Sequence, residues 1–147
     1  MGEPEADPRE AVRALARASR LLERASGELS LAHYRVLAAI ASGDERASRI
    51  ASRLALGKPT ISAAVESLCH RNLLDRSGVC GDQRVSILRL TPQGEALLAR
   101  VEAGMVAQIR DLCDLSPDGE ALMQSLIWMG QAIEQARSER DRAGTGS

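Results

Sequence analysis

Between Ile50 and Leu68 the apolar residues keep helical spacing on both sides of a three-residue break, which restricts the fold more than any other feature of the chain. Ile50 and Leu54 share one helical face, Ala55-Leu56-Gly57 interrupts the period, and Ile61, Val65 and Leu68 resume it. A break of that length joins two crossing helices, so the segment reads as a helix-turn-helix. The second helix turns Ile61, Ala64, Val65 and Leu68 inward, leaving Thr60, Ser62, Ala63, Glu66 and Ser67 outward. Small polar side chains on such a face suit close approach to base edges, while the helix N-terminus and Lys58 address phosphate. Pro59 fits the first helical turn, where its missing N–H is no loss.

After Asn72 the period changes. Leu73 to Ser77 and Val85 to Leu90 read as two short strands, the second alternating Ser86, Leu88 and Leu90 against Val85, Ile87 and Arg89. Gly78 and Gly81 permit the turn between them. Asp82 and Arg84 stand two apart, hence on one side of an extended chain, so the carboxylate can orient the guanidinium.

Charge singles out the same region. Residues 46 to 89 hold eight Lys and Arg against three acids, while both flanks are acidic and the whole chain is −1. Local charge decides where a polyanion docks, and a basic middle between acidic ends favours this segment. A solvated basic face with no partner has the same composition. With one Trp, one Tyr and no Phe, the chain lacks the stacking platforms on which single-strand and RNA binding rely, so duplex DNA fits better.

The run Asp82-Gln83-Arg84, followed by Leu88, Leu90, Thr91-Pro92 and Gly94, resembles the wing signature of the MarR family of winged helix-turn-helix repressors. Upstream, Ile50-Ala51-Ser52-Arg53-Leu54 and Lys58-Pro59-Thr60-Ile61-Ser62 resemble that family's two-helix motif in matching order and spacing. The similarity covers residues 30 to 98 in motif and the flanking helices in placement. Ala63 and Ser67 depart from it, since relatives are often basic there, and Asn72 stands where a glycine is common.

The resemblance implies a mainly α fold with a small β-hairpin wing, flanked by N- and C-terminal dimerisation helices. It further implies a homodimer that represses a pseudo-palindromic operator and is released by a small aromatic effector. The DNA contacts it suggests are Arg49, Arg53, Lys58, Pro59, Thr60, Ser62, Ala63, Glu66, Asp82, Gln83 and Arg84. Its ligand crevice falls at His33 and Tyr34.

The chain then reads as one domain: a leader at 1–7 expected to be disordered, an N-terminal dimerisation helix at 8–29, the winged helix-turn-helix at 30–92, C-terminal dimerisation helices at 93–137 and a polar tail at 138–147. Pro8 opens the first helix, with Val12, Leu15, Ala18 and Leu22 on one face. Ser30 caps the second, whose stripe is Val36, Leu37 and Ile40. Thr91-Pro92 opens the long helix carrying Leu97, Leu98, Val101 and Met105, and Ser116-Pro117-Asp118 opens the last, which carries Leu122, Leu126, Met129 and Ile133. These outer helices are apolar over more face than a small DNA-binding module covers, so a second subunit is the natural cover.

Cys69, Cys80 and Cys113 are an odd number at spacings that match no zinc or redox motif, so neither metal nor disulfide is expected. Cys80 stands near Arg76 and Arg84, which can lower a thiol pKa, and a redox-responsive regulator acting through it is an alternative. A winged-helix module that binds protein is another. No cofactor and no enzymatic activity are expected, because the chain shows no Gly-rich phosphate loop, nucleophile elbow or local catalytic spacing around His33 or His70. No run approaches the ~20 apolar residues of a membrane span and the leader is acidic, so the expected location is cytoplasmic.

Overall fold

The computed structural model describes residues 6–44, 46–79 and 86–144. Among them the chain runs α1 (Pro8–Ala25), α2 (Leu31–Ala41), α3 (Ala47–Leu54), α4 (Lys58–His70), β1 (Leu74–Val79), β2 (Ser86–Leu90), α5 (Pro92–Asp114) and α6 (Gly119–Gly144). It is the mainly helical fold with a single hairpin that the sequence implies. The chain forms two compact units, Met1–Met105 and Val106–Ser147, and the boundary falls inside α5.

The first unit is built around one apolar core. Val36 and Leu37 of α2, Ile50 of α3, Ile61 and Leu68 of α4, Leu74 of β1 and Leu88 of β2 are almost fully buried in it. Leu97, Leu98, Val101 and Met105 of α5 complete it. Full burial of one such side chain contributes roughly 1.5–3 kcal/mol relative to exposure, so this cluster is what holds the unit together. α1 contributes only its end: Leu22 and Ala25 pack against the core, whereas Val12 is 66% exposed and Leu15 46%.

Local chemistry places each element. Asp7 Oδ1 accepts from Arg9 N at 2.9 Å at the start of α1, and Ser30 Oγ accepts from His33 N at 3.1 Å at the start of α2. Between these helices Gly27 adopts φ +57°, and buried Ser26 donates its hydroxyl towards the carbonyls of Leu29 at 2.6 Å and Glu23 at 2.8 Å. In the α3–α4 turn the left-handed residue is Ala55 (φ 51°), while Gly57 is extended and serves as N-cap of α4. α4 ends on Asn72 at φ 57°, with Leu73 N donating to Leu68 O at 2.9 Å. That is a Schellman closure, and asparagine tolerates the left-handed site better than most side chains, which explains how it replaces a glycine.

β1 and β2 pair antiparallel, Leu74 opposite Leu90, Asp75 opposite Arg89 and Ser77 opposite Ile87, with an irregularity between Ser77 and Val79. β1 begins one residue and ends two residues later than read in the sequence, and β2 begins one residue later and ends at Leu90 as read. Thr91 then locks the hairpin to α5. Its hydroxyl donates to Asn72 O at 2.7 Å and accepts from Gly94 N at 2.9 Å. A Cβ on Gly94 would sit 2.1 Å from Leu73 O, so the glycine of the Thr91-Pro92-x-Gly94 run is required by close approach of backbone.

In the second unit, Cys113 is buried at the end of α5, where a Cβ on Gly119 would meet its carbonyl oxygen at 2.5 Å. Ser116 donates to Cys113 O at 2.9 Å, and Asp118 Oδ1, rather than Ser116, caps α6 by accepting from Ala121 N at 2.9 Å. α6 has no buried residue. It also continues to Gly144, past residue 137, where the sequence reading ends the helix and begins a polar tail. The reason is charge spacing. Arg137 pairs with Glu134 at 3.1 Å and with Asp141 at 3.5 Å, and Gln135 donates to Glu139 at 3.0 Å, each a helix-stabilising i,i+3 or i,i+4 contact.

Candidate nucleic-acid interface

α4 presents one buried and one open face. Ile61, Ala64, Val65 and Leu68 are buried, while Lys58, Pro59, Thr60, Ser62, Ala63 and Glu66 are exposed and Ser67 is half-buried. The face assignment follows from 3.6-residue periodicity against an apolar core and matches the sequence reading except at Ser67, which was expected outward and is half-buried. Pro59 lies in the first turn, and Gly57 offers no side chain to cap it. The N-terminal N–H groups of α4 therefore stand free of side-chain caps, beside Lys58, as an electropositive end.

The two arginines of α3 differ. Arg49 is exposed. Arg53 is half-buried, and its Nη1 lies 2.7 Å from Asp44 Oδ2, whose side chain is only 15% exposed. That ion pair fixes the end of the α2–α3 connection to α3, a positioning role that the charge count alone does not reveal. Sequence reading also passed over Arg35, whose Nη2 donates to Leu54 O at 2.9 Å and so satisfies a carbonyl in the last turn of α3. A partner nineteen residues away left no local signal.

Asp82, Gln83, Arg84 and Cys80, named as wing and thiol candidates, lie outside the described residues. The strands that flank them are described, with Arg89 and Arg76 both exposed on the hairpin.

His33 and Tyr34 are both partly buried on α2 but turn to different neighbours. Tyr34 donates its hydroxyl to Glu102 Oε1 at 3.3 Å, and burial together with the Glu102 carboxylate raises its pKa above the usual phenol value. Burial, then the positive charge of Arg71, lowers the pKa of His33. The pair thus spans the face of α2 between Arg71 and Glu102 instead of forming a joint acid–base couple. No cluster of His, Cys, Asp and Glu suited to a metal occurs among the described residues, and no described helix is long and apolar enough to cross a membrane.

The sequence matches no family model and no curated protein. Solved structures do match. A transcriptional repressor, CouR, bound to a 23-mer DNA duplex is 26% identical, over 88% of this chain and 92% of that one, with a TM-score of 0.75. The PcaV transcriptional regulator from Streptomyces coelicolor is 27% identical, over 89% and 99%, with a TM-score of 0.67, and PcaV has also been solved with its natural ligand. A MarR-family transcriptional regulator from Rhodococcus sp. RHA1 shares the fold at 18% identity, over 89% and 96%, with a TM-score of 0.72.

Proposed function

We propose that this chain, which shares its fold with solved transcriptional regulators including one of the MarR family, is a MarR-family homodimeric repressor that reads a pseudo-palindromic duplex operator with α4. The observation that carries this reading is the open face of α4, where Lys58, Thr60, Ser62 and Glu66 are exposed on a helix whose other side is anchored in the core. A major groove about 12 Å wide admits such a helix, and small side chains let it approach base edges closely. Arg49 on α3 would supply a flanking phosphate contact, and Arg84 a minor-groove contact.

Dimerisation rests on α1 and the C-terminal helices. α1 and α6 contain no buried residue, and Val12, Ile127, Trp128 and Ile133 are half or more exposed. Exposed apolar side chains on each of these helices are what an interface would cover. An effector with a small aromatic body, bound near His33 and Tyr34, would release the operator by favouring a spacing of the two recognition helices that no longer fits half-sites one helical turn apart.

Selection of bound fragments from genomic DNA by the purified full-length protein, followed by mobility shifts across a salt series, tests the reading. The expected product is a set of pseudo-palindromes whose affinity falls steeply with salt. A protein that retains no duplex above a scrambled control at low salt is not a DNA-binding regulator. Titration of the bound complex with phenolic acids tests the effector, and complexes that persist throughout favour a ligand-independent regulator.

A further inference from the structure

Arg49 and Arg53 stand four apart on α3, so one helix face carries both and a charge count treats them alike. The structure separates them. Arg49 is exposed, whereas the Arg53 side chain is 34% exposed and its Nη1 lies 2.7 Å from Oδ2 of Asp44, a carboxylate that is itself only 15% exposed. Asp44 belongs to the short α2–α3 connection, and its backbone N–H donates to the carbonyl of Ala39 in α2 at 3.1 Å. The carboxylate is therefore held by α2, and Arg53 ties α3 to it.

A second tether comes from α2 itself. Arg35 Nη2 donates at 2.9 Å to the carbonyl of Leu54, the last residue of α3, whose carbonyl has no donor within its own helix. The turn that follows is closed by backbone: Ala55 N donates to Ser52 O at 3.2 Å and Leu56 N to Ala51 O at 3.1 Å. Ala55 sits at φ 51°, which is unfavourable for a residue with a Cβ, so the turn needs support from outside. Gly57 then opens α4 without a side-chain cap. Where Lys58 and Thr60 stand thus depends on where the end of α3 is held, and two arginines hold it.

We propose that Arg53 and Arg35 are positioning residues for DNA reading: they hold the end of α3 and, through the three-residue turn, the start of α4, and neither touches the duplex. The inference rests on the reading of α4 as the recognition helix, and it reverses the role that the family resemblance suggests for Arg53. A guanidinium engaged at 2.7 Å with a largely buried carboxylate must give up a charge-assisted hydrogen bond before it can neutralise a phosphate, so what it gains on DNA is offset by what the protein loses. Arg49, exposed on the same helix, keeps the phosphate role.

The two roles give opposite signs for one substitution in the full-length protein. Asp44→Asn removes a negative charge, so if Arg53 were a phosphate contact, affinity for any duplex would rise. With Arg53 as a positioning residue, affinity for the duplex that the protein selects from genomic DNA should fall about fivefold, and affinity for a scrambled duplex of equal length should not fall. Arg53→Gln should weaken the selected complex to a similar extent at an unchanged salt slope, whereas Arg49→Gln should lower that slope by about one. Combining Asp44→Asn with Arg53→Gln should lose no more than either alone, since both remove one pair. Arg35→Gln should cost about threefold, again at constant slope. Hydrogen exchange in DNA-free protein gives a readout that needs no operator. The amides of Ala55, Leu56 and Ile61, each hydrogen-bonded to backbone, should exchange about fivefold faster in folded Asp44→Asn, Arg53→Gln and Arg35→Gln but not in Arg49→Gln. Unchanged exchange at those amides, a higher affinity in Asp44→Asn, or a salt slope lowered by one in Arg53→Gln would each overturn the assignment. A wild-type protein that binds selected and scrambled duplexes alike sinks the DNA-binding reading instead, and the exchange rates then decide the two tethers by themselves.

Discussion

α4 and α6 carry apolar stripes of the same kind, yet the chain treats them oppositely. In α4, Ile61, Ala64, Val65 and Leu68 are all less than 10% exposed, while along α6 Leu122 and Leu126 are only half-buried and Met129 and Ile133 are 37% and 60% exposed. The pattern of a helix thus states which face seeks cover and leaves open what provides it. For α4 the cover is intramolecular and comes from α2, α3, the hairpin and α5. For α6 the cover we propose is a second subunit, since leaving apolar surface in water forfeits its burial.

The contrast can be tested at both ends. The largest effect is expected at Gly94, which packs against the winged core through backbone alone. Gly94→Ala drives a Cβ to 2.1 Å from Leu73 O, with no side-chain rotation able to relieve it, and should destabilise the fold by about 3 kcal/mol. Denaturant unfolding checks this, and wild-type stability would mean that the hairpin and α5 separate freely. On the other side of the comparison, Ile133→Asp leaves the winged core untouched but puts a charge into the proposed interface. Dimer affinity in sedimentation should fall about 100-fold, roughly 2.7 kcal/mol, and a dimer of normal affinity would move the interface off α6.

Smaller effects sharpen the account of the DNA-binding surface. Arg84→Ala should weaken operator binding by about 1–3 kcal/mol and lower the salt slope by about one, with the loss partly shared by Asp82→Ala because both remove one arrangement. An unaltered salt slope in a folded dimer would remove the wing from the interface. Ala55 is held at φ 51° in the turn between α3 and α4, a conformation unfavourable for a residue with a Cβ. Ala55→Gly should stabilise the protein by about 0.5–1 kcal/mol, and a lower melting temperature would show that flexibility added to the unfolded chain outweighs the relief.

The smallest effect concerns pH. His33 has a folded pKa below its ordinary 6.5, so the folded state binds this proton less tightly than the unfolded chain does. Its contribution is present above about pH 6.5 and lost as pH falls through the folded value. His33→Gln should flatten the stability profile in that acid window alone, and an unchanged profile would assign the acid sensitivity to other groups.

What the sequence by itself determined is local. The inward and outward faces of α4 follow from residue periodicity, the capping of α2 by Ser30 and of α5 by Thr91 follows from positions one to three residues away, and the strand alternation around Leu88 follows from a period of two. The MarR-like order of those elements was legible for the same reason, since each motif is short and contiguous. What only the tertiary structure decided is every pairing across the chain. Arg53 with Asp44, Arg35 with Leu54, Tyr34 with Glu102, Arg71 and Arg100 with Glu28, and Gly94 against Leu73 all depend on where the core brings distant backbone together. The periodicity that buries Leu68 of α4 carries no information on which loop lands beside Arg71 at the helix's end. Such contacts are set by the packing of α2, α4 and α5 about one core, and a side chain's long-range partner has no trace in its sequence neighbours.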